Sequence, residues 1–191
     1  KLRRALMRNT RGQNVSIIRH GDAVIYYWKG PTKRTTGWFG GSSHGGTAKA
    51  IGFGVKEKGG RLTVTYNKNK ERGESLAKEL DCELVYARDA GIRAIDVLIN
   101  CSPVGMSPDV NESPFLARDF KEGMVVFDSV YNPLETRLLR EAKSAGCTVI
   151  PGSELFVNQA ARQFELWTGQ TAPIEIMRDV LLATRRGANE Q

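Results

Sequence analysis

The stretch GGSSHGGTAKA, from Gly40 to Ala50, has the composition of a loop that binds phosphate. Gly45 and Gly46 carry no side chains and stand directly before a helical pattern, so a pyrophosphate could approach the backbone there. Free N–H groups and the helix dipole would bind the anion. Ser43 and His44 stand where a dinucleotide-binding loop usually has its first glycine. The alternative is a tight turn between a strand and a helix that binds no ligand.

A second candidate loop follows the next apolar run. The strand pattern LTVTY ends in NKNKER, about 22 residues after Gly45. In NAD-binding folds, an acidic residue at about this distance holds the ribose 2′-hydroxyl. No acidic residue lies at the tip of this loop, and Lys68, Lys70 and Arg72 would instead face a 2′-phosphate, which favours NADP. The alternative is a solvated turn and the start of a helix.

Three later segments also place polar groups after apolar strands. The loop NCSPVGMSP (Asn100–Pro108) is polar and kinked, and could lie against the ribose or nicotinamide of a cofactor. Tyr131 follows the next strand, where its hydroxyl could bind a substrate, and Gln159 lies two turns into the helix after Gly152. The plainer alternatives are a structural turn, a rim residue and an exposed helical glutamine.

Short apolar runs that alternate with helical patterns must position these loops. The runs LTVTY, CELVY, DVLIN, MVVFDSVY and CTVI read as strands between amphipathic helices. Near-continuous apolar strands of this kind indicate a parallel sheet covered on both faces. Right-handed crossovers then predict an α/β, doubly wound, Rossmann-like domain with flanking helices over residues 37–191, with ligands at the carboxyl ends of the strands.

Residues 1–36 are predicted to be a separate, basic N-terminal segment. The β-rich runs Val15–Ile18 and Ala23–Tyr27 flank a turn at His20–Asp22, which predicts a short β-hairpin. The segment PTKRTTG that follows is typical of a loop. The run RTTGWF before the glycine loop lacks the Val/Ile content that usually precedes such a turn.

The positive charge is concentrated in this N-terminal segment. Residues 1–37 carry nine Lys or Arg and one acidic residue, a net +8, whereas the other 154 residues carry 19 basic and 20 acidic side chains, a net −1. Such an excess could form an arm for nucleic acid. A solvated tail or linker is favoured instead, because no basic–aromatic interleaving or known nucleic-acid-reading motif accompanies the charge.

Composition favours a globular protein of a reducing compartment. Hydrophobic residues make up 40% and charged residues 26%. No apolar run approaches the ~18 residues that span a bilayer, and the start of the chain lacks the apolar region of a secretory signal. Cys82, Cys101 and Cys147 are far apart and odd in number, which predicts buried thiols and a cytoplasmic location. No Cys/His spacing suits a metal.

Taken together, these segments resemble the cofactor domain of shikimate dehydrogenases. NCSPVGMSPDVNESP, VVFDSVYNPLETRLLREAKSAG and PGSELFVNQAARQFELWTG are similar to motifs of that family and occur in its order. The spacing of GGTAKAIGFGVKEKG and NKNKER matches as well. The resemblance covers about residues 45–185. It is strongest to fused forms in which the dehydrogenase follows a dehydroquinate dehydratase module.

The resemblance implies an NADPH-dependent reduction of 3-dehydroshikimate to shikimate, in the pathway to chorismate and the aromatic amino acids. It implies that Tyr131 and Gln159 contact the hydroxyls or carboxylate of the substrate. The glycine turn would hold the pyrophosphate, the second loop the 2′-phosphate, and two main-chain segments the nicotinamide. The implied cofactor-binding residues are Ser43, His44, Gly45, Gly46, Thr47, Asn67, Lys68, Asn69, Lys70, Arg72, Ser129 and Gly152.

The chain departs from the family pattern at several points. Ser43 and His44 replace the usual Gly-Ala, so a side chain could push the pyrophosphate away, although a protonated His44 could partly compensate. Lys68 replaces an arginine and loses its planar fork. The family's catalytic lysine and aspartate lie in an N-terminal substrate domain, and neither of their sequence runs occurs here, so no catalytic residue is assigned.

Two interpretations of this chain are favoured over a basic-armed nucleic-acid binder and over another NADP reductase of the same fold with a different carbonyl substrate. It is either a fragment or truncated form of an active shikimate dehydrogenase, or a non-catalytic NADP-binding module that kept the fold and lost the chemistry. Under the first, a fused segment or a partner chain would supply the substrate domain.

Overall fold

A computed structural model describes residues 6–8, 14–20, 23–28, 34–38, 45–66, 70–86, 89 and 95–188. Its elements begin with a small antiparallel sheet of three strands, β1 (Leu6–Arg8), β2 (Asn14–His20) and β3 (Ala23–Trp28). Ile18 pairs with Ile25 across β2 and β3. This pairing confirms the predicted hairpin, and β1 extends it by one strand. The division of the chain at residue 37 stays a prediction.

A six-stranded parallel sheet follows, in the spatial order β6-β5-β4-β7-β8-β9. The chain enters at its centre, builds outward to β6, then returns beside β4 and builds outward to β9. This is the doubly wound topology predicted from the alternation of strands and helices, with its switch point between β4 and β7. The strands are β4 (Arg34–Trp38), β5 (Arg61–Tyr66), β6 (Glu83–Tyr86), β7 (Val97–Asn100), β8 (Val125–Asp128) and β9 (Thr148–Ile150).

Strand β4 corrects one prediction. The segment PTKRTTG was expected to be a loop, but Arg34 to Gly37 belong to a strand in the middle of the sheet. Gly37 pairs with Val64 on one side and with Ile99 on the other. Strands β5 and β7, both apolar, pair with this segment from either side and hold it extended. Its own strand propensity is weak, but strand formation depends strongly on context.

Helices cover the parallel sheet. They are α1 (Gly45–Glu57), α2 (Lys70–Glu79), α3 (Arg137–Ser144), α4 (Gly152–Thr168) and α5 (Ile174–Ala188). Thr136 caps the start of α3 by accepting a hydrogen bond from the Leu139 N–H at 3.3 Å. Gly169 ends α4 in the left-handed conformation. None of the described helices has the length and hydropathy that crossing a membrane requires.

The core has two halves, one on each face of the sheet. Leu98 and Val126 face a cluster that includes Leu138 of α3. Their strand neighbours Ile99 and Phe127 face the opposite cluster, under the helices of the other face. This alternation follows the two-residue period of a strand. Both faces of β7 and β8 are therefore fixed by packing, which makes their carboxyl ends rigid supports for a site.

Candidate functional site at the carboxyl edge of the sheet

An open cavity of about 430 Å³ lies where β7, β8 and β9 end and where α1 and α4 begin. This volume is typical of small-molecule sites. Its position next to the topological switch point is where doubly wound sheets bind ligands. The lining residues are Thr47, Ser102, Pro103, Met106, Ser107, Ser129, Val130, Tyr131, Asn132, Gly152, Leu155, Phe156 and Gln159.

Five of the residues singled out from the sequence meet in this cavity. They are Thr47, Ser129 and Gly152 from the predicted cofactor set, and Tyr131 and Gln159 from the predicted substrate set. They come from three separate segments of the chain, namely α1, the loop after β8 and α4. The structure therefore brings together residues of the predicted cofactor and substrate sets, while their roles toward a ligand stay predictions.

Other predicted residues lie outside the lining of this cavity. Gly45 and Gly46 begin α1, and a Cβ on Gly46 would meet no atom within 4 Å, so the backbone there is open. Lys70 begins α2 and forms an ion pair with Glu74 at 3.2 Å. Arg72 is exposed on the same helix. The predicted residues Ser43, His44, Asn67, Lys68 and Asn69 lie outside the described residues.

A buried pair of polar side chains lies directly beneath the cavity. Asn100 and Asp128 end the neighbouring strands β7 and β8, and neither has any exposed surface. The Asn100 Nδ2 group donates to Asp128 Oδ1 at 2.9 Å. The same oxygen accepts from the Val130 N–H at 3.1 Å, and Asp128 Oδ2 accepts from the Thr136 hydroxyl at 2.6 Å. The carboxylate thus joins β7, the loop after β8 and the start of α3.

Asn100 extends this network into the other wall of the cavity. Its Oδ1 atom accepts from the Ser102 N–H at 2.9 Å and from the Ser102 hydroxyl at 2.7 Å. The two walls also bond directly, since the Ser107 N–H donates to the Asn132 carbonyl at 3.0 Å. Sequence reasoning did not single out Asp128 or Thr136. A polar residue at the end of an otherwise apolar strand was the available signal.

Two ionisable side chains, Asp128 and Cys101, are buried beneath the cavity, and burial raises the pKa of both. Burial raises the pKa of Asp128 to about 6, although the hydrogen bonds from Thr136, Val130 and Asn100 act in the opposite direction. Burial, with a smaller contribution from the charge of Asp128, raises the pKa of the Cys101 thiol far above its ordinary value. Cys101 is therefore a neutral, structural thiol rather than a nucleophile.

Helix α4 closes the third side of the cavity at very short range. A Cβ on Gly152 would lie 2.4 Å from the Val130 carbonyl oxygen and 2.5 Å from that of Ser129. Only glycine permits this approach of the helix start to the loop. One helical turn later, Phe156 packs against Tyr131, with ring centroids 4.8 Å apart.

The lining has a distinct chemical character. All thirteen described lining residues are uncharged, and hydroxyl and amide groups alternate with apolar surface. Such a lining can bind and orient a polar small molecule or a flat ring. Transfer of a proton to a developing alkoxide needs a donor with a suitable pKa, and no Lys, His, Asp or Glu is among these lining residues.

The doubly wound sheet and a cavity at its switch point define a Rossmann-type domain. Residues 152–182 match the family described as the shikimate 5′-dehydrogenase C-terminal domain. The chain is 41% identical over 149 residues to the shikimate dehydrogenase (NADP(+)) of Methanopyrus kandleri, an alignment that covers 72% of this chain and 51% of that protein. It is 39% identical over 140 residues to the bifunctional 3-dehydroquinate dehydratase/shikimate dehydrogenase of Arabidopsis thaliana, with 72% of this chain and 23% of that protein covered.

A solved structure gives the same result. Shikimate 5-dehydrogenase from Thermus thermophilus, in complex with NADP(H) and shikimate, superposes with a TM-score of 0.70 and 33% identity, over 80% of this chain and 56% of that one. Over this matched part, the chain is similar to shikimate dehydrogenases in sequence and in fold. It spans about half the length of the curated relatives that it matches, and corresponds to their C-terminal part.

Proposed function

We propose that this chain is the NADP-binding half of a shikimate dehydrogenase, which reduces 3-dehydroshikimate to shikimate with NADPH. The observation that carries the proposal is that Thr47, Ser129 and Gly152 line the same cavity as Tyr131 and Gln159. The relative from Methanopyrus kandleri is named for NADP(+), and the structure from Thermus thermophilus contains NADP(H) and shikimate.

The start of α1 fits a dinucleotide. This helix has no acidic residue in its first turn, and the open backbone at Gly46 leaves room for a phosphate at its positive end. Gly45, Gly46 and Thr47 would hold the pyrophosphate. Lys70 and Arg72, at the start of α2, would add positive charge for the 2′-phosphate. When bound, NADPH supplies the hydride that converts a ketone to an alcohol.

The chain's own residues then bind and orient the substrate. The Tyr131 hydroxyl and the Gln159 amide would donate hydrogen bonds to its hydroxyl or carboxylate oxygens. The main chain at Ser129 and Gly152 would line the nicotinamide. Leu155 and Phe156 provide apolar surface that excludes water from the same space. The proton donor would come from the substrate-binding half, on a fused segment or a partner chain.

Cofactor binding is the first prediction to test. The purified chain is titrated with NADPH and, separately, with NADH, and cofactor fluorescence is followed. We expect NADPH to bind at micromolar concentration and NADH much more weakly. Lys70→Ala is expected to weaken NADPH binding about twofold to fivefold, the worth of one exposed charge contact, with no effect on NADH. Lys78→Ala, at the other end of α2, is the matched control and should bind like the unmodified chain.

Absence of binding by either cofactor at millimolar concentration would overturn the proposal. Equal binding of NADPH and NADH would overturn the preference for NADP. Loss of affinity in Lys78→Ala as large as that in Lys70→Ala would overturn the proposed role of Lys70.

A second candidate function is a non-catalytic NADP-binding module. The uncharged lining favours it, because no Lys, His, Asp or Glu is among the described lining residues. The discriminating assay is NADP-dependent oxidation of shikimate, with the chain alone and with the substrate-binding half of a relative added. A general acid is worth about 10²–10⁴-fold in rate. Restoration of turnover on that scale supports the enzyme half, whereas cofactor binding without turnover in either mixture supports the module.

The proposed site of action is the cytoplasm. All three cysteines, Cys82, Cys101 and Cys147, are free thiols, as in proteins of reducing compartments. Cell fractionation with an antibody against the chain tests this location.

A further inference from the structure

We propose that Asp128 is a positioning residue that holds the two walls of the cavity in register before any ligand binds. It would do so by accepting hydrogen bonds from both walls at once. The Val130 N–H reaches Asp128 Oδ1 at 3.1 Å from the loop after β8. Asn100 Nδ2 reaches the same oxygen at 2.9 Å from the end of β7.

Asn100 transmits this hold to the opposite loop. While its amide nitrogen donates to Asp128, its amide oxygen accepts two hydrogen bonds from Ser102, at 2.9 Å and 2.7 Å. The orientation of the amide is thereby determined, because a flipped amide would place two donors against the Ser102 N–H and an acceptor against the carboxylate. Ser102 lines the cavity, so the network reaches from Asp128 to a residue at the ligand position.

Thr136 fixes the carboxylate from its other side. Its hydroxyl donates to Asp128 Oδ2 at 2.6 Å, and it is itself held as the N-cap of α3. Asp128 and Thr136 have no exposed surface. A buried polar group without partners is costly, so a shift of either loop would leave several groups unsatisfied together. The walls therefore have one favoured spacing.

This spacing sets the position of two proposed ligand contacts. Tyr131 follows Val130 directly and packs on Phe156, while the carbonyls of Ser129 and Val130 lie against Gly152 of α4. A loop released from Asp128 would move Tyr131 relative to α4. Preorganisation of this kind favours binding, because the ordering cost is met on folding rather than on association.

The test compares three variants of the full chain. Asp128→Ala removes both acceptor oxygens. Asp128→Asn keeps one acceptor oxygen for Asn100 and Val130 and can turn its NH₂ group toward the Thr136 oxygen. Val126→Ala, two residues earlier on β8 and equally buried, is the matched control that destabilises the same strand without touching the network.

Amide hydrogen exchange at Val130 and Ser102 is the first measurement, because it needs no cofactor. We expect exchange at both amides to be at least tenfold faster in Asp128→Ala. Asp128→Asn should restore slow exchange to within about threefold. Val126→Ala should change these two amides no more than it changes the rest of β8. Where Asp128→Ala does not fold, Thr136→Val takes its place, since it keeps the shape and removes the 2.6 Å bond to Asp128. This change also removes the 3.3 Å N-cap bond from the Leu139 N–H, so exchange at Leu139 is measured beside the two amides.

NADPH affinity is the second measurement, and it alone rests on the proposed function. We expect about tenfold weaker binding in Asp128→Ala and substantial recovery in Asp128→Asn. The inference is overturned when the two amides exchange alike in Asp128→Ala and Val126→Ala, or when Asp128→Asn is as damaging as Asp128→Ala. Altered exchange in a chain that never binds NADPH would support the positioning role and refute the proposed function.

Discussion

At the scale of single residues, close contact between backbone segments matters as much for the site as hydrogen bonds between polar side chains. Gly152 is needed because its missing side chain lets α4 begin against the carbonyls of Ser129 and Val130. The sequence resemblance implied that Gly152 lines the nicotinamide through its main chain, and the structure places it in the cavity lining. One residue thus combines a packing requirement with a proposed binding role.

Substitution of Gly152 by alanine should displace α4 from the loop. The added Cβ would lie 2.4 Å from a backbone oxygen, and neither element is a flexible side chain that can move away. We expect a loss of about 1–3 kcal/mol in the free energy of unfolding, as in other overpacked sites, with weaker NADPH binding. Urea denaturation and the cofactor titration measure the two effects.

Gly123→Ala is the control for Gly152→Ala. A Cβ on Gly123 would meet no atom within 4 Å, so this change carries only the cost of a positive φ. A Gly152→Ala protein that is as stable as Gly123→Ala and binds NADPH normally would contradict the steric argument.

At the scale of elements, the ends of helices determine where the loops of the site begin. Thr136 caps α3 and also holds Asp128, so one hydroxyl serves both the helix and the network. At the far end of α4, Gly169 adopts a φ of +67° and its N–H donates to the Glu165 carbonyl at 3.0 Å. This turn separates α4 from α5.

At Gly169, the C-cap of α4, a substitution tests the cost of the left-handed backbone conformation by itself. A Cβ on Gly169 would meet no atom within 4 Å, so steric contact plays no part. We expect Gly169→Ala to lower the free energy of unfolding by about 1 kcal/mol, measured by thermal or urea denaturation. Gly169→Asn is expected to lose less, because asparagine tolerates the left-handed conformation. An asparagine variant less stable than the alanine variant would argue against this explanation.

At the scale of the whole molecule, stability depends on a carboxyl group buried beneath the cavity. Burial raises the pKa of Asp128 from 3.8 to about 6. Between these values, the unfolded chain releases the proton while the folded chain keeps it. Ionisation therefore favours unfolding as the pH rises through this window.

We expect the contribution of Asp128 to stability to fall between about pH 4 and pH 6 and to be constant above about pH 7. The size of the fall is up to about 3 kcal/mol, at 1.36 kcal/mol per pKa unit. The measurement is urea unfolding of the unmodified chain and of Asp128→Asn at a series of pH values. The difference between the two proteins isolates Asp128, since the other carboxyl groups are common to both. A difference that stays level or grows in favour of the unmodified chain as the pH rises would contradict the prediction.

Local sequence patterns predicted most of the fold. The alternation of apolar strands and amphipathic helices and the hairpin runs all report on nearest neighbours along the chain, and the structure confirms them. The motifs also placed Tyr131, Gln159, Ser129 and Gly152 after the correct strands. Their convergence on one edge followed from parallel topology, because all parallel strands end at the same side of a sheet.

Tertiary structure alone decided the rest. The strand at Arg34–Trp38 has weak propensity and is extended because β5 and β7 pair with it from both sides. The bonds from Asp128 to Asn100 and Thr136 cross 28 and 8 positions of sequence. No local pattern records which distant partner a buried polar group finds. The sequence by itself therefore determined the elements and their order along the chain. Pairing between strands decided that Arg34–Trp38 is extended, and it brought together the residues of the network beneath the site. Only the tertiary structure shows these features, because pairing and burial are properties of contacts between distant segments.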